Sequence, residues 1–433
     1  MADGVYDVKD ALPKVYERIE DRVDELVSLT CDLIRFPTVN PPGDAYQPCA
    51  EYIGKRLGNR GFVIEYVRAE GAPGDSDAYP RVNVIARREG KTAGPTVHFN
   101  GHIDVVEVGS GWTVAPFDAE VRDGKVWGRG ACDMKGGLAS AIVAVETLID
   151  SDPDLPGTIE ISGTADEESG GFGGVAYLAE RGWFSRPRVD HVIIPEPLNV
   201  DRVCIGHRGV WWAEVETFGR MAHGSMPFLG NSAIRHMAAV MTRFESELYP
   251  ALALRLSEMP VVPDGARQST MNINSLHGGQ AECEEGLPAP CVADSCRMIV
   301  DRRFLIEESL AEVRAEVVEI LDKLVRDRPE FRYELRELFA VEPSIADRDG
   351  PVASATATAI RDVLGVEPSI VCSPGTYDQK HIDRIGKLDD CIAYGPGHLD
   401  LAHQPDEWVG IDDMTKAAKV MATVASRLLR REA

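Results

Sequence analysis

The chain has 433 residues, of which 44% are hydrophobic and 27% charged. That is enough for two domains with buried cores, in the composition of a globular, enzyme-sized protein. With 46 basic against 70 acidic residues the formal charge is −24, a field that repels nucleic acid and anionic lipid, so neither is an expected partner.

Residues 14–35 predict a helix, because Val15, Ile19, Val23, Leu26, Leu33 and Ile34 recur near helical spacing. FPTVNPPG ends it, since proline fixes φ and removes a donor. Residues 47–61 predict a second helix ending at Gly61, and FVIEYVRAE and RVNVIARRE predict strands. The pattern then alternates. TVHFNG, TIEISGTAD and HVIIPEP are strand-like, separated by the helical stretches GGLASAIVAVETLID and GGVAYLAERGW. Strands separated by helices predict parallel pairing with right-handed crossovers. After Glu196 the order changes to a long alternating strand (VWWAEVETFG), a helix near 231–248 and two strands (STMNINSLHGG, CVADSCRMIVDRRF). The amphipathic helix EESLAEVRAEVVEILDKLVRDR and the strand FRYELRELF follow. From about residue 344 come helix (ASATATAIRDVLG), strand (SIVCS), strand (CIAYG) and helix (MTKAAKVMATVASRLLR). The predicted architecture is α/β: a mostly parallel sheet with helices on both faces, built from 1–206 and 344–433, into which a two-layer α+β domain, 207–343, is inserted.

The cysteines include no CxxC pair, which predicts reduced thiols and a cytoplasmic location. Cys291 and Cys296 lack the second pair a structural zinc site needs. Cys132 reads as a small buried residue. MADGVYDVKD has no apolar core, so no signal peptide is expected, and the longest apolar stretch, LASAIVAVETLI, is too short to span a bilayer.

Against this map, a histidine or carboxylate recurs just past an apolar run: His102, Asp133, Glu167–Glu168, Glu196 and His403. His102, Glu167–Glu168 and Glu196 follow predicted strand ends, and ligand sites in open α/β sheets lie at that edge. Two histidines and three carboxylates can hold two divalent ions if one carboxylate bridges, which leaves one glutamate as a base. Asp104 shares a face with His102 on extended backbone and is placed to orient the imidazole, or else the two form a hydrogen-bonded cap. Asp133 precedes a helix in a glycine-rich turn, either to bridge cations or to cap the helix. Glu167 and Glu168 diverge on extended backbone, so one can bind metal while the other stands over the water; the plain alternative is a solvated acidic turn. A divalent ion lowers a coordinated water's pKa from about 15.7 to roughly 7, and a nearby carboxylate can take the proton. Glu196 is aimed by Pro195 and Pro197. His403, in AHQPDE, supplies the ligand a second ion would otherwise lack.

GHIDVV, GRGACDMKGG, DEESGG, PEP and AHQPDEWV, in this order along essentially the whole chain, resemble the co-catalytic metallopeptidase and aminoacylase family. That family includes acetylornithine deacetylase, succinyl-diaminopimelate desuccinylase, carboxypeptidase G and aminoacylase-1. The resemblance implies a cytoplasmic metal-dependent amidohydrolase, a deacylase with two divalent ions, zinc first, with cobalt or manganese also compatible with mixed ligands. It implies that Asp133 bridges, that His102 and Glu196 complete one site and Glu168 and His403 the other, and that Glu167 is the general base. The inserted domain then resembles a lid that also forms a homodimer. His223, in GRMAHGSMP, is implied to polarise the scissile carbonyl, often from the partner subunit. Asn272 and Arg303 match substrate-holding positions, with Arg302 as rival to Arg303 because neighbours on a strand face opposite ways. Gly375 and Thr376, in SPGTYDQ, match a loop whose backbone donors hold a substrate carboxylate. Two departures fall on the substrate side. Tyr377 stands where relatives carry a small residue, predicting a narrowed or aromatic-lined pocket, and AECEEGLPAPCVADSC departs from the shorter pattern expected there.

The expected reaction is hydrolysis of the amide C–N bond of a small N-acyl amino acid or similar carboxylate. Hydrolysis of another C–N bond (an aromatic amine, a carbamoyl group, a dipeptide) is the alternative within enzymes, and an inactive binding protein the alternative outside them. The glycine clusters are not a dinucleotide fingerprint.

Overall fold

The computed structural model describes residues 8–279 and 290–431; residues 281–289 of the AECEEGLPAPCVADSC segment and the first seven residues lie outside the described ones. The chain forms two compact units, Met1–Gly206 with Ile345–Val371 and Tyr377–Ala433, and His207–Ser344 with Cys372–Thr376. The short segment Cys372–Thr376, which its sequence neighbours place in the first domain, clusters with the second unit. Arg208 anchors it there, donating from Nε to the Pro374 carbonyl at 3.1 Å.

The first unit is built on a nine-stranded sheet. Its central strands, Thr158–Thr164, Thr96–His102, His191–Ile194 and Cys391–Ala393, are parallel neighbours. Val63–Arg68 and Val82–Glu89 extend it antiparallel on one side, and Arg202–His207 pairs antiparallel on the other. All seven residues of Thr96–His102 are buried, as expected where helices cover both faces. The alternation of the strand shows which face is which. Gly101 lies against Leu138 of the helix Gly136–Ser151. His98 and Asn100 point the other way, His98 stacking on Phe184 and Asn100 donating to Asp378 at 3.0 Å. A polar row thus runs inside the sheet: Asn100 pairs in register with Ser162 and His98 with Glu160.

The predicted helix over 14–35 is two helices, Val8–Asp21 and Val23–Ile34. Arg22 separates them with its guanidinium on Glu25 and Glu146. The predicted helix over 47–61 spans Tyr46–Gly58.

The second unit is a four-stranded antiparallel sheet in the order Thr270–Gly278, Ser295–Phe304, Gly209–Phe218, Arg332–Val341. One face carries the helices Ala233–Arg243 and Leu310–Asp327 over a core that includes Trp211, Met237, Phe244, Met298, Phe304 and Leu321. The longer helix starts with a capping box between Ser309 and Glu312, worth on the order of 1 kcal/mol. Among the described residues the cysteines are free, and no helix is long and apolar enough to cross a membrane.

Candidate metal centre

Three parallel strands deliver their C-terminal ends to one place. His102 closes Thr96–His102, Glu167 and Glu168 follow Thr158–Thr164, and Glu196 follows His191–Ile194. This is the edge at which open α/β sheets bind ligands.

The His102 Nδ1 lies 3.0 Å from the backbone carbonyl of Asp104, so Nδ1–H donates there. Nε2 then faces Asp133 Oδ1 at 3.0 Å. Two acceptors at that distance need a proton or a cation between them. The orientation of His102 by Asp104 therefore runs through its carbonyl, not its carboxylate as the shared strand face predicts; the carboxylate approaches only to 3.5 Å. The Asp104 carboxylate instead accepts the backbone N–H groups of Glu167 and Glu168 at 3.2 and 3.1 Å and the Asn40 amide at 3.0 Å. It holds the turn that carries both glutamates.

Asp133 is not a helix cap. The helix begins at Gly136, three residues later, with no side-chain cap bond. Asp133 has extended backbone angles, φ −114° and ψ 96°. Its two oxygens face two histidines, Oδ1 to His102 at 3.0 Å and Oδ2 to His403 at 3.5 Å. His403 Nε2 also meets Glu168 Oε2 at 3.0 Å. His403 itself has φ +64°, a backbone conformation that costs a non-glycine residue on the order of 1 kcal/mol.

Glu167 and Glu168 do diverge, but in a 3₁₀ turn, Glu167–Ser169, rather than on extended backbone. While Glu168 points to His403 and Asp133, Glu167 Oε1 pairs with Lys380 Nζ at 2.7 Å. Lys380 is 2% exposed. Burial pulls its pKa down, but the carboxylates of Glu167 and Asp378 hold it above the usual lysine value.

Among the described residues, His102, Asp133 and Glu168 each offer one ligand atom within 4.8 Å of the others. Glu196 is buried and enters through its charge: burial and the neighbouring Asp133 push its carboxyl well up. Burial and Asp133 also push Glu168 up to about 7. Burial opposes the charge on His102, but the nearby carboxylates of Asp104 and Asp133 hold it well above its ordinary value. The Glu168 hydrogen bond raises His403 to about 9. Carboxylates crowded out of water drive up one another's pKa, and the imidazoles retain protons to compensate. Divalent cations relieve that same crowding, so the donor set fits them.

The second unit places its residues as follows. Arg302 is buried on the helix-covered face, bound to Glu308 at 2.8 Å, and Met271 beside it in register is also buried. Arg303 lies on the opposite face and is gripped by Asp301 at 2.7 and 3.1 Å. Asn272 pairs in register with Asp301 on that face, is exposed, and donates to Asn274 at 2.8 Å. His223 is exposed, and its Nδ1 accepts from the N–H and hydroxyl of Ser225 at 3.1 and 2.7 Å. Gly375 and Thr376 are half-buried, and the Gly375 N–H is already bonded to Ser373 Oγ at 3.2 Å. Tyr377 is 4% exposed, with its hydroxyl 3.7 Å from Cys204 Sγ. Cys132 is buried, its Sγ 3.3 Å from the His398 carbonyl.

Several working residues escape a reading of the chain alone: Asn40, Arg129, Asp378, Lys380 and Glu407. Asp378 and Lys380 stand in GTYDQK, directly beyond the residues that segment was read for, and Glu407 in the same AHQPDE stretch as His403. The available signal is a charged residue close to a candidate site residue, Arg129 near Asp133, Glu407 near His403, and Asp378 and Lys380 near Thr376; Asn40, in FPTVNPPG, carries no such signal.

The sequence matches the model of peptidase family M20/M25/M40 over residues 98–427. It is 30% identical over 420 residues to the succinyl-diaminopimelate desuccinylase of Psychrobacter sp. (strain PRwf-1), covering 94% of this chain and 97% of that one. Among solved structures the fold resembles human carnosine dipeptidase 1, with TM-score 0.76 and 20% identity over 97% of this chain and 99% of that one. It also resembles a dinuclear metal binding peptidase of Bacillus subtilis, with TM-score 0.68 and 16% identity over 95% and 99%.

Proposed function

The chain belongs to peptidase family M20/M25/M40 and is a metal-dependent hydrolase of amide C–N bonds; from that premise we propose that its substrate is a small N-acyl amino acid, an N-succinyl one foremost. The observation that carries the reading is the cluster of buried His102, half-buried Asp133 and Glu168 and exposed His403, with Glu167 held beside it by Lys380.

In this proposal His102 and Glu196 would hold one divalent ion, Glu168 and His403 would hold the other, and Asp133 would serve both; the two histidines facing its two oxygens support that division. Zinc is the first choice, with cobalt and manganese also fitting mixed nitrogen and oxygen donors. When bound, the ions polarise the scissile carbonyl and acidify the attacking water. Glu167 takes the water's proton on its carboxylate and returns it to the leaving amine, which makes one residue base and then acid. Lys380 on Oε1 leaves Oε2 for that transfer. Asp104 supports both functions from behind, by its carbonyl on His102 and its carboxylate on the glutamate turn.

The inserted domain is the proposed lid. Because His223 Nδ1 accepts the Ser225 N–H, its proton sits on Nε2, the right tautomer to donate to a substrate carbonyl. Arg303 offers its remaining Nη1 edge, and Asn272 its amide oxygen, to a substrate bearing a carboxylate or its amide. Gly375 and Thr376 line the same unit.

A panel of N-succinyl, N-acetyl and N-carbamoyl amino acids and dipeptides, read by released amine, tests the substrate class. N-succinyl amino acids should give the highest kcat/KM, and Arg303→Ala should raise their KM roughly tenfold or more. Turnover of dipeptides alone would replace this substrate assignment with a peptidase. The proposal also includes a homodimer through the second unit. Sedimentation should give about twice the chain mass, and a monomer that retains full turnover would remove the partner's role.

A further inference from the structure

We propose that the buried pair Arg129–Glu407 is a positioning device for the candidate metal centre, setting the geometry of its ligand loops before any ion arrives. The inference rests on the two-ion reading above.

The two side chains are 2% and 1% exposed and pair at 2.7 Å through Arg129 Nη1 and Glu407 Oε2. The other glutamate oxygen, Oε1, accepts two consecutive backbone N–H groups, Cys132 at 2.8 Å and Asp133 at 3.0 Å. The other arginine hydrogen bonds are to backbone carbonyls. Nη1 reaches Gln404 at 3.2 Å, and Nη2 reaches Val108 at 3.2 Å and Glu107 and His403 at 3.4 Å. The Trp112 ring lies 5.0 Å from the guanidinium. One ion pair therefore touches the loop of Asp133, the loop of His403 and the segment that follows His102 and Asp104.

Its contacts fall where the backbone has no regular structure to support it. Asp133 breaks helical geometry between a glycine turn and the following helix. His403 adopts a positive φ that L side chains rarely take. Neither residue gains its position from a helix or sheet ladder, and each receives a bond from this pair. A buried ion pair is a poor source of net stability, because desolvation offsets its attraction. A planar fork with five donors is well suited to joining several carbonyls in fixed positions. Groups that orient a metal ligand from behind commonly change metal affinity by about 10–100-fold when removed.

The test uses the full chain stripped of metal and titrated with Zn²⁺ against a chelating indicator, and with Co²⁺ followed by its visible absorption. Glu407→Gln keeps the shape and an acceptor but loses the charge; Arg129→Lys keeps the charge but loses the fork. Both should bind each ion about 10–100-fold more weakly. The metal-free melting temperature should fall far less than that loss implies, and the Co²⁺ spectrum should change because Asp133 and His403 shift. Affinities within twofold of the unmodified chain would overturn the proposal, as would failure of both variants to fold, which would assign the pair to folding alone. An unmodified chain that binds no divalent ion would instead remove the two-ion reading, a separate outcome.

Discussion

Glu167→Gln should retain both divalent ions and lose turnover by about 10²–10⁴-fold, the range of a missing general acid–base group. The substitution is nearly isosteric. The backbone N–H of Glu167 donates to Asp104, a bond the side chain does not touch, so the turn should keep its shape. Glutamine can still accept from Lys380 but cannot take a proton from water. Glu168, next in sequence, faces His403 and Asp133 and is not replaced as a donor. Elemental analysis and kcat on the same preparation check this. Near-normal turnover would sink the role of Glu167, and loss of an ion would place it among the ligands instead.

Lys380→Met should lower kcat by roughly 10²-fold, the scale of a misplaced reacting group, with KM and metal content within about twofold. Methionine fills the volume and removes the cation. The lysine stands on a rigid base. His381 Nε2 bonds the Gly170 carbonyl at 2.7 Å, and Gln379 donates to the carbonyls of Ile205 and Cys391 at 3.0 and 2.9 Å. Asp378 accepts from Asn100, whose side-chain oxygen accepts from Ser162 at 2.7 Å, and Ser162 bonds His98 at 2.7 Å. The polar row inside the parallel sheet thus ends on the segment that aims Glu167. Removing the charge leaves a buried carboxylate without its anchor, free to turn away from the water. Lys380→Arg should recover part of the loss. In the double variant with Glu167→Gln the two losses should not multiply, since Lys380 acts through Glu167. A multiplicative double variant, or a fall in melting temperature with kcat unchanged, would make Lys380 a structural residue only.

These effects come from residues that differ in how far the chain reveals them. His102 and Glu196 can be read because each ends an apolar run, and a parallel sheet sends such ends to one edge. Asp133 reads from its glycine-rich turn as either a cation bridge or a helix cap, and its place three residues before the helix rules out the cap. The Arg302–Arg303 ambiguity is of the same kind. Alternation says they face apart, but only the helices packed over Met271 and Arg302 say which face is covered. What Tyr377 packs against is likewise not in the local pattern, because side-chain size does not name the neighbour, here Cys204.

By itself the sequence determined the α/β class, the inserted second unit and the residue types of the candidate centre. Those follow from hydrophobic period, strand–helix alternation and short motifs, all local along the chain. Only the tertiary structure decided that the Asp104 carboxylate holds the glutamate turn, that Lys380 grips Glu167 across 213 positions, and that Arg129 meets Glu407 across 278. The reason is physical. A local pattern records which face of an element is apolar, because burial acts on each residue separately. A hydrogen bond between side chains depends on two elements being packed a few ångströms apart. That distance is set by the fold, and no period in the chain carries it.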